Sequence, residues 1–145
     1  MIKSALALPQ KKRDEFRIFT LLNHTEPINK GKDSISVPED NVWCAIAIFR
    51  DIPEKLYERT YSIPELNSSI TMNFVLPNKT VQNGNECQVV IEINVDTQND
   101  KIRISKNING LSEELINIPI RHSLKEILKI LENANKPLIK GIIKC

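Results

Sequence analysis

Three stretches of alternating apolar and polar side chains, at residues 69–76, 87–95 and 101–105, most constrain the fold of this chain. Because successive side chains of a strand point to opposite faces, each stretch predicts a strand with one buried face. The residues expected inside are Ile70, Met72, Phe74, Leu76, Val89, Ile91, Ile93, Val95, Ile102 and Ile104. The residues expected outside are Ser69, Thr71, Asn73, Gln88, Glu92, Asn94, Lys101 and Arg103. Five polar residues, 96–100, join the last two stretches and predict a β-hairpin.

The remaining apolar segments predict the other elements of the fold. Residues 42–49 are continuously apolar, which predicts a strand at the sheet centre with Trp43 in the core. Residues 50–59 predict a short helix with Pro53 in its first turn and Asp51 as its cap. Residues 11–22 fit a strand, and a helix beginning at Gln10 is the competing interpretation. Residues 111–120, after an Asn109-Gly110 turn, predict a further strand.

The C-terminal region contains the clearest helix of the sequence. Ser123 and Glu126 have capping-box spacing, and the apolar residues that follow repeat at helical intervals up to Pro137. Residues 138–144 predict a closing edge strand, with a basic amphipathic helix as the alternative.

These elements predict the α+β class. We expect a mainly antiparallel sheet of five to seven strands, a short middle helix and one amphipathic C-terminal helix, because too few helices separate the strands for parallel crossovers. The length of 145 residues fits one globular domain over 1–145. Residues 1–15 are predicted to form a mobile basic N-terminal segment.

Charge is segregated along the sequence. Residues 1–32 carry seven basic and three acidic side chains (+4), and residues 121–145 carry six and two (+4). The intervening residues carry seven basic and thirteen acidic side chains (−6). Such opposite fields favour an anionic partner or self-association of basic ends with acidic bodies. The side chains predicted to bind an anionic surface are Lys11, Lys12, Arg13, Lys30, Lys32, Lys136, Lys140 and Lys144.

No recognisable motif supports catalysis or cofactor binding. The two histidines, His24 and His122, have no accompanying nucleophile-and-acid pattern, and the three cysteines lack metal-ligand or paired spacing. We therefore predict no catalytic, cofactor-binding or metal-binding residue, no cofactor and no disulfide framework. The sequence leaves open whether the chain is an enzyme and favours a non-enzymatic function.

Three functional hypotheses follow. The first is a non-enzymatic structural protein, such as a small viral matrix-like or accessory protein, that self-assembles or docks on an anionic membrane or nucleoprotein. The second is an adaptor or effector that binds a protein through a sheet edge. The third is a small enzyme with a dispersed site using His122, Cys87 or a carboxylate. We expect a homo-oligomer in the cytoplasm, or in host cytoplasm or virion if viral, without a transmembrane segment or sequence-specific nucleic-acid binding.

Overall fold

The computed structural model describes residues 9–24, 37–77, 79–80 and 86–135, which form an antiparallel sheet with helices on one face. The α-helices are α1 (Gln10–Phe19), α2 (Glu39–Arg50) and α3 (Ser123–Asn135), and short 3₁₀ turns cover Thr20–His24, Glu54–Leu56 and Ile120–His122. The strands are β1 (Arg59–Pro64), β2 (Ile70–Val75), β3 (Lys79–Thr80), β4 (Glu86–Cys87), β5 (Val89–Asp96), β6 (Lys101–Ile108) and β7 (Leu111–Ile118). The main sheet has the order β1-β2-β5-β6-β7, and β3 pairs with β4 in a separate two-stranded ribbon. The predicted α+β class is confirmed.

The alternating stretches form strands, as predicted, and these are the three central strands of the main sheet, β2, β5 and β6. Ile93 of β5 lies opposite Met72 of β2 and Ile104 of β6, and all three side chains are fully buried. The predicted turn at Asn109-Gly110 is also confirmed. Both residues have positive φ angles, 50° and 92°, which suit the tight turn between β6 and β7.

The predicted central strand at 42–49 is wrong, because these residues belong to α2. Val42, Ala45, Ile46 and Phe49 are buried, and their spacing of three and four residues is that of a helix face packed on a sheet. The acidic first turn of α2 complements the positive end of the helix dipole. A short apolar run does not distinguish a buried strand from a buried helix, which explains the error.

Trp43 was also misplaced by the strand interpretation. On α2 it points away from the buried side, and 45% of its surface is exposed. Its ring packs edge-on against Phe19 of α1, with the ring centroids 5.4 Å apart.

The first helix follows the competing interpretation rather than the favoured strand. Gln10–Phe19 is helical and antiparallel to α2, because Lys11 contacts the end of α2 while Phe19 contacts Trp43, nearer its start. The helix predicted at 50–59 is reduced to the 3₁₀ turn after Pro53, and Asp51 is the C-cap of α2 rather than an N-cap.

The predicted C-terminal helix is present as α3, and Ile127 and Leu131 are buried in the core. Its start differs from the predicted capping box. The Ser123 hydroxyl donates to the carbonyl oxygen of Ile120 at 2.6 Å, within the 3₁₀ turn that precedes the helix. Asn135 fixes the other end, since its amide donates to the Leu56 carbonyl at 2.7 Å. The edge strand predicted at 138–144 lies outside the described residues.

Candidate functional site

The face of the sheet opposite the helices carries a concave polar surface, which we call the open face. It contains a pocket with a volume of about 480 Å³, crossing β2, β5, β6 and β7 and the turn between β1 and β2. The pocket is lined by Glu65, Leu66, Asn67, Ser69, Thr71, Glu92, Asn94, Arg103, Ser105, Ser112 and Glu114. Most of these residues alternate with the buried residues of the same strands. One face of the sheet therefore forms the core, and the opposite face forms the pocket.

Side-chain hydrogen bonds across the sheet hold the pocket floor. The amide of Asn94 on β5 donates to the hydroxyls of Ser69 at 2.9 Å and Thr71 at 3.0 Å. At the other side, the Ser112 hydroxyl donates to Glu92 at 2.7 Å. The floor is therefore a connected polar surface, with side chains already oriented before a ligand arrives.

The rim of the pocket is fixed by a buried side chain from the helical layer. Asn41 of α2 donates to the Ser68 carbonyl at 2.7 Å, and its own carbonyl oxygen accepts from the Thr97 amide, also at 2.7 Å. These bonds join α2 to the β1–β2 turn and to the β5–β6 turn. Ser68 has a positive φ of 72°, so the turn holds a conformation that few non-glycine residues adopt.

The charge of the pocket is acidic. Glu65, Glu92 and Glu114 contribute three carboxylates, whereas Arg103 contributes the one basic group among the described lining residues. The Arg103 guanidinium donates to the side-chain oxygen of Asn94 at 3.4 Å. A concave surface with excess carboxylates attracts cations and repels anions.

A further polar group lies buried on the same face, next to the pocket. Asn73 of β2 sits between Tyr61 of β1 and Glu92 of β5 and is almost fully buried. Its side-chain nitrogen has no hydrogen-bond partner within the described part of the chain. A buried hydrogen-bond donor without a partner costs stability.

Lys11, Lys12 and Arg13, the three consecutive basic residues predicted to bind an anionic surface, make different contacts in α1. Lys11 turns inward, and its ammonium donates to the carbonyl oxygens of Arg50, at 3.0 Å, and Ile52. Lys12 is exposed and lies 3.8 Å from Glu15, and Arg13 donates to Gln10 at 2.7 Å. The other predicted residues, Lys30, Lys32, Lys136, Lys140 and Lys144, lie outside the described residues.

The pocket contains carboxylates, but His122, Cys44 and Cys87, the other groups considered for catalysis, do not line it. His122 is exposed and accepts a hydrogen bond from Arg121 at 3.1 Å. Cys44 is half-buried, and burial, together with the charge of Asp100, raises the pKa of its thiol. Cys87 is fully buried and disulfide-bonded, so it has no free thiolate to act as the nucleophile of the dispersed-site hypothesis.

Within the described ranges, no group of three or more histidine, cysteine, aspartate or glutamate side chains is arranged to hold a metal ion. No helix in the same ranges has the length and apolar character needed to cross a membrane.

Comparison with known proteins gives no match: no family model fits the sequence, and no curated protein or solved structure is similar to it.

Sequence reasoning identified part of the open face and missed the rest. The alternation placed Ser69, Thr71, Glu92, Asn94 and Arg103 on exposed strand faces, and the pocket contains all five. No sequence pattern indicated that the β1–β2 turn and β7 would lie beside them. The order of the strands in the sheet determines which side chains lie next to one another, and no local sequence pattern predicts that order.

Proposed function

We propose that this chain is a non-enzymatic interaction protein that self-associates, with the open face of one copy receiving a basic segment of another. The observation that supports this proposal is the acidic pocket on a chain whose two ends are both basic. Each end carries a net charge of +4, and the residues between them carry −6. The two halves of the interaction are therefore present in every copy.

The chemistry of the pocket suits an extended, lysine-rich segment. Its carboxylates accept hydrogen bonds from ammonium groups, and its serine, threonine and asparagine side chains offer further acceptors to the segment's backbone amides. An exposed ion pair contributes at most about 1 kcal/mol, so several contacts must act together. Association of this kind is reversible and sensitive to salt.

A matrix-like or accessory structural protein, of viral type and placed in the host cytoplasm or the virion, is the concrete form of this proposal. Such a protein needs a repeated weak contact rather than a catalytic centre. Association of a basic segment with the next copy is a heterologous contact, which builds rings or open arrays rather than closed two-fold dimers.

Removing carboxylates from the pocket tests the proposal. We expect the double variant Glu92→Gln/Glu114→Gln to lower the weight-average mass in light scattering at low salt, because both substitutions keep the shape and remove charge. The matched control is Glu126→Gln/Glu132→Gln, which makes the same charge change on α3, in the helical layer. If both double variants assemble like the wild type, or lose mass equally, the open face is not the site of association.

A second candidate function is an adaptor that adds a partner strand at the β7 edge. Among the described strands β7 lies at an edge of the sheet, and Leu111 to Leu115 are exposed. However, a register shift beside Ile104 and the charged pair Glu113 and Glu114 both oppose edge pairing. The open face therefore has the stronger support.

A further inference from the structure

The surface formed by α1 and α2 has a composition unlike that of the open face. Phe16, Phe19, Lys12, Trp43 and Arg50 lie together along the outer seam of the two helices, and we call this set the aromatic–basic face. Phe19 of α1 contacts α2, because the centroid of its ring lies 5.4 Å from that of Trp43 and 6.0 Å from the Arg50 guanidinium carbon. Phe16 lies one helical turn before Phe19, and 67% of its surface is exposed.

The arrangement of ion pairs makes this surface basic towards solvent. Lys12 and Arg50 both pair with Glu15, and the neighbouring Arg17 pairs with Asp14 at 3.6 Å. The basic side chains of these pairs are 57–66% exposed, whereas the side chains of Glu15 and Asp14 are 11% and 2% exposed. The carboxylates therefore lie beneath the cations, and an approaching partner meets positive charge first.

One acidic region borders the face, at the first turn of α2. Glu39 accepts a hydrogen bond from the Trp43 indole nitrogen at 2.9 Å, and Asp40 follows it. These carboxylates limit the basic surface at the Trp43 end. The strongest positive charge therefore lies near Phe16, Lys12 and Arg50.

From this geometry we infer that the aromatic–basic face docks on an anionic lipid membrane. Charge complementarity supports that occupant, because exposed lysine and arginine side chains surround rings that protrude into water. Phenylalanine and tryptophan insert at the boundary of headgroups and acyl chains, while neighbouring basic residues are attracted to anionic lipids. The inference does not rest on the pocket of the open face, since no residue of the aromatic–basic face lines that pocket.

Trp43 allows a direct test, because it is the only tryptophan of the chain. We expect vesicles of phosphatidylcholine and phosphatidylserine at low salt to shift its emission to shorter wavelength. Brominated lipid in the same vesicles should quench the emission. Vesicles of phosphatidylcholine alone should produce neither effect.

Matched variants locate the contact. Phe16→Ala should weaken partitioning into the anionic vesicles about tenfold, whereas Leu111→Ala, which removes an apolar side chain that is still more exposed (81% against 67% for Phe16), should not change it. Lys12→Gln should weaken partitioning about fivefold, and Lys125→Gln on α3 should have a smaller effect. Circular dichroism confirms that each variant retains its fold.

Three results would overturn the inference. They are no emission change with anionic vesicles, equal binding to neutral vesicles, and equal losses from Phe16→Ala and Leu111→Ala. An emission shift that grows with protein concentration without vesicles would instead assign the face to a second copy of the chain.

Discussion

Adjacent residues with the same charge have different roles in α1. Lys11 donates to the carbonyl oxygens of Arg50 and Ile52, at the end of α2 where helix carbonyls lack intrahelical partners. Its ammonium also lies 5.6 Å from the centre of the Phe49 ring. Lys12 is exposed beside Glu15. Two adjacent lysines of the sequence therefore have different roles, because Lys11 binds the end of α2 and Lys12 lies at the surface.

We predict that Lys11→Met destabilises the protein by about 1–3 kcal/mol, because two carbonyl groups lose a charged donor. The matched control Lys12→Met should cost less than about 1 kcal/mol, as expected for an exposed ion pair. Urea unfolding followed by circular dichroism measures both. Equal losses for the two variants would show that the Lys11 contacts do not stabilise the junction of α1 and α2.

Asp14 is a buried carboxylate close to Tyr57. Burial raises the pKa of Asp14, and hydrogen bonding from Gln10 and the charges of Arg17 and Arg13 oppose that shift only in part. Burial also raises the pKa of Tyr57 to about 12, with smaller contributions from Asp14 and Glu54. One Asp14 oxygen and the Tyr57 hydroxyl have no hydrogen-bond partner within the described ranges.

The raised pKa of Asp14 predicts a pH dependence of stability. Below its ordinary value of 3.8 the carboxyl is protonated in both the folded and the unfolded chain. As the pH rises through the folded-state pKa, the folded chain must bury a charge, and stability from this residue is lost. We therefore expect the stability advantage of Asp14→Asn over the wild type to grow from pH 3.8 towards neutrality.

Unfolding in urea across this pH range tests that prediction, with Asp51→Asn, an exposed position, as the control. A constant difference between Asp14→Asn and the wild type would contradict the account of the buried carboxylate.

At the scale of elements, the three alternating strands and the strand after Asn109-Gly110 were predictable, whereas β1 and α2 were not. Alternation between 69 and 105 determines which face of each strand is buried, and β2, β5 and β6 bury that face. The apolar run at 42–49 was compatible with a covered strand and with a helix. The residues before the run favour the helix, because Pro38, Glu39 and Asp40 suit a helix N-terminus. The main sheet is formed by five other strands.

The link between α2 and the sheet depends on Asn41, which no sequence pattern identified. Its side chain is buried and bonds to Ser68 and Thr97 in two separate turns. We predict that Asn41→Ala costs about 2–3 kcal/mol, because the Ser68 carbonyl and the Thr97 amide lose their partner in a buried position. Amide hydrogen exchange at Thr97 should also become faster.

The matched control for Asn41→Ala is Asn133→Ala, an exposed position on α3, where the same substitution should change stability by less than about 0.5 kcal/mol. Unfolding free energies in urea compare the two variants. If Asn41→Ala is as mild as the control, the two turns hold their positions without this side chain.

For the whole molecule, the sequence predicted the separation of charge but not its geometry. Counting residues showed basic ends and an acidic middle. The fold then concentrates three carboxylates of that middle in one pocket and buries Asp14 and Glu15 beneath the cations of α1 and α2. A count along the chain cannot show these effects, because both depend on which strands and helices are neighbours.

The most direct test of self-association is the molar mass of the wild-type protein in light scattering, measured from low to high ionic strength. The Debye length is about 10 Å at 0.1 M salt and about 3 Å at 1 M, so contacts between basic ends and the acidic pocket weaken across this range. We predict an oligomer at low salt that dissociates to the monomer at high salt. A monomer at every salt concentration, or a mass that rises with salt, would contradict the proposal.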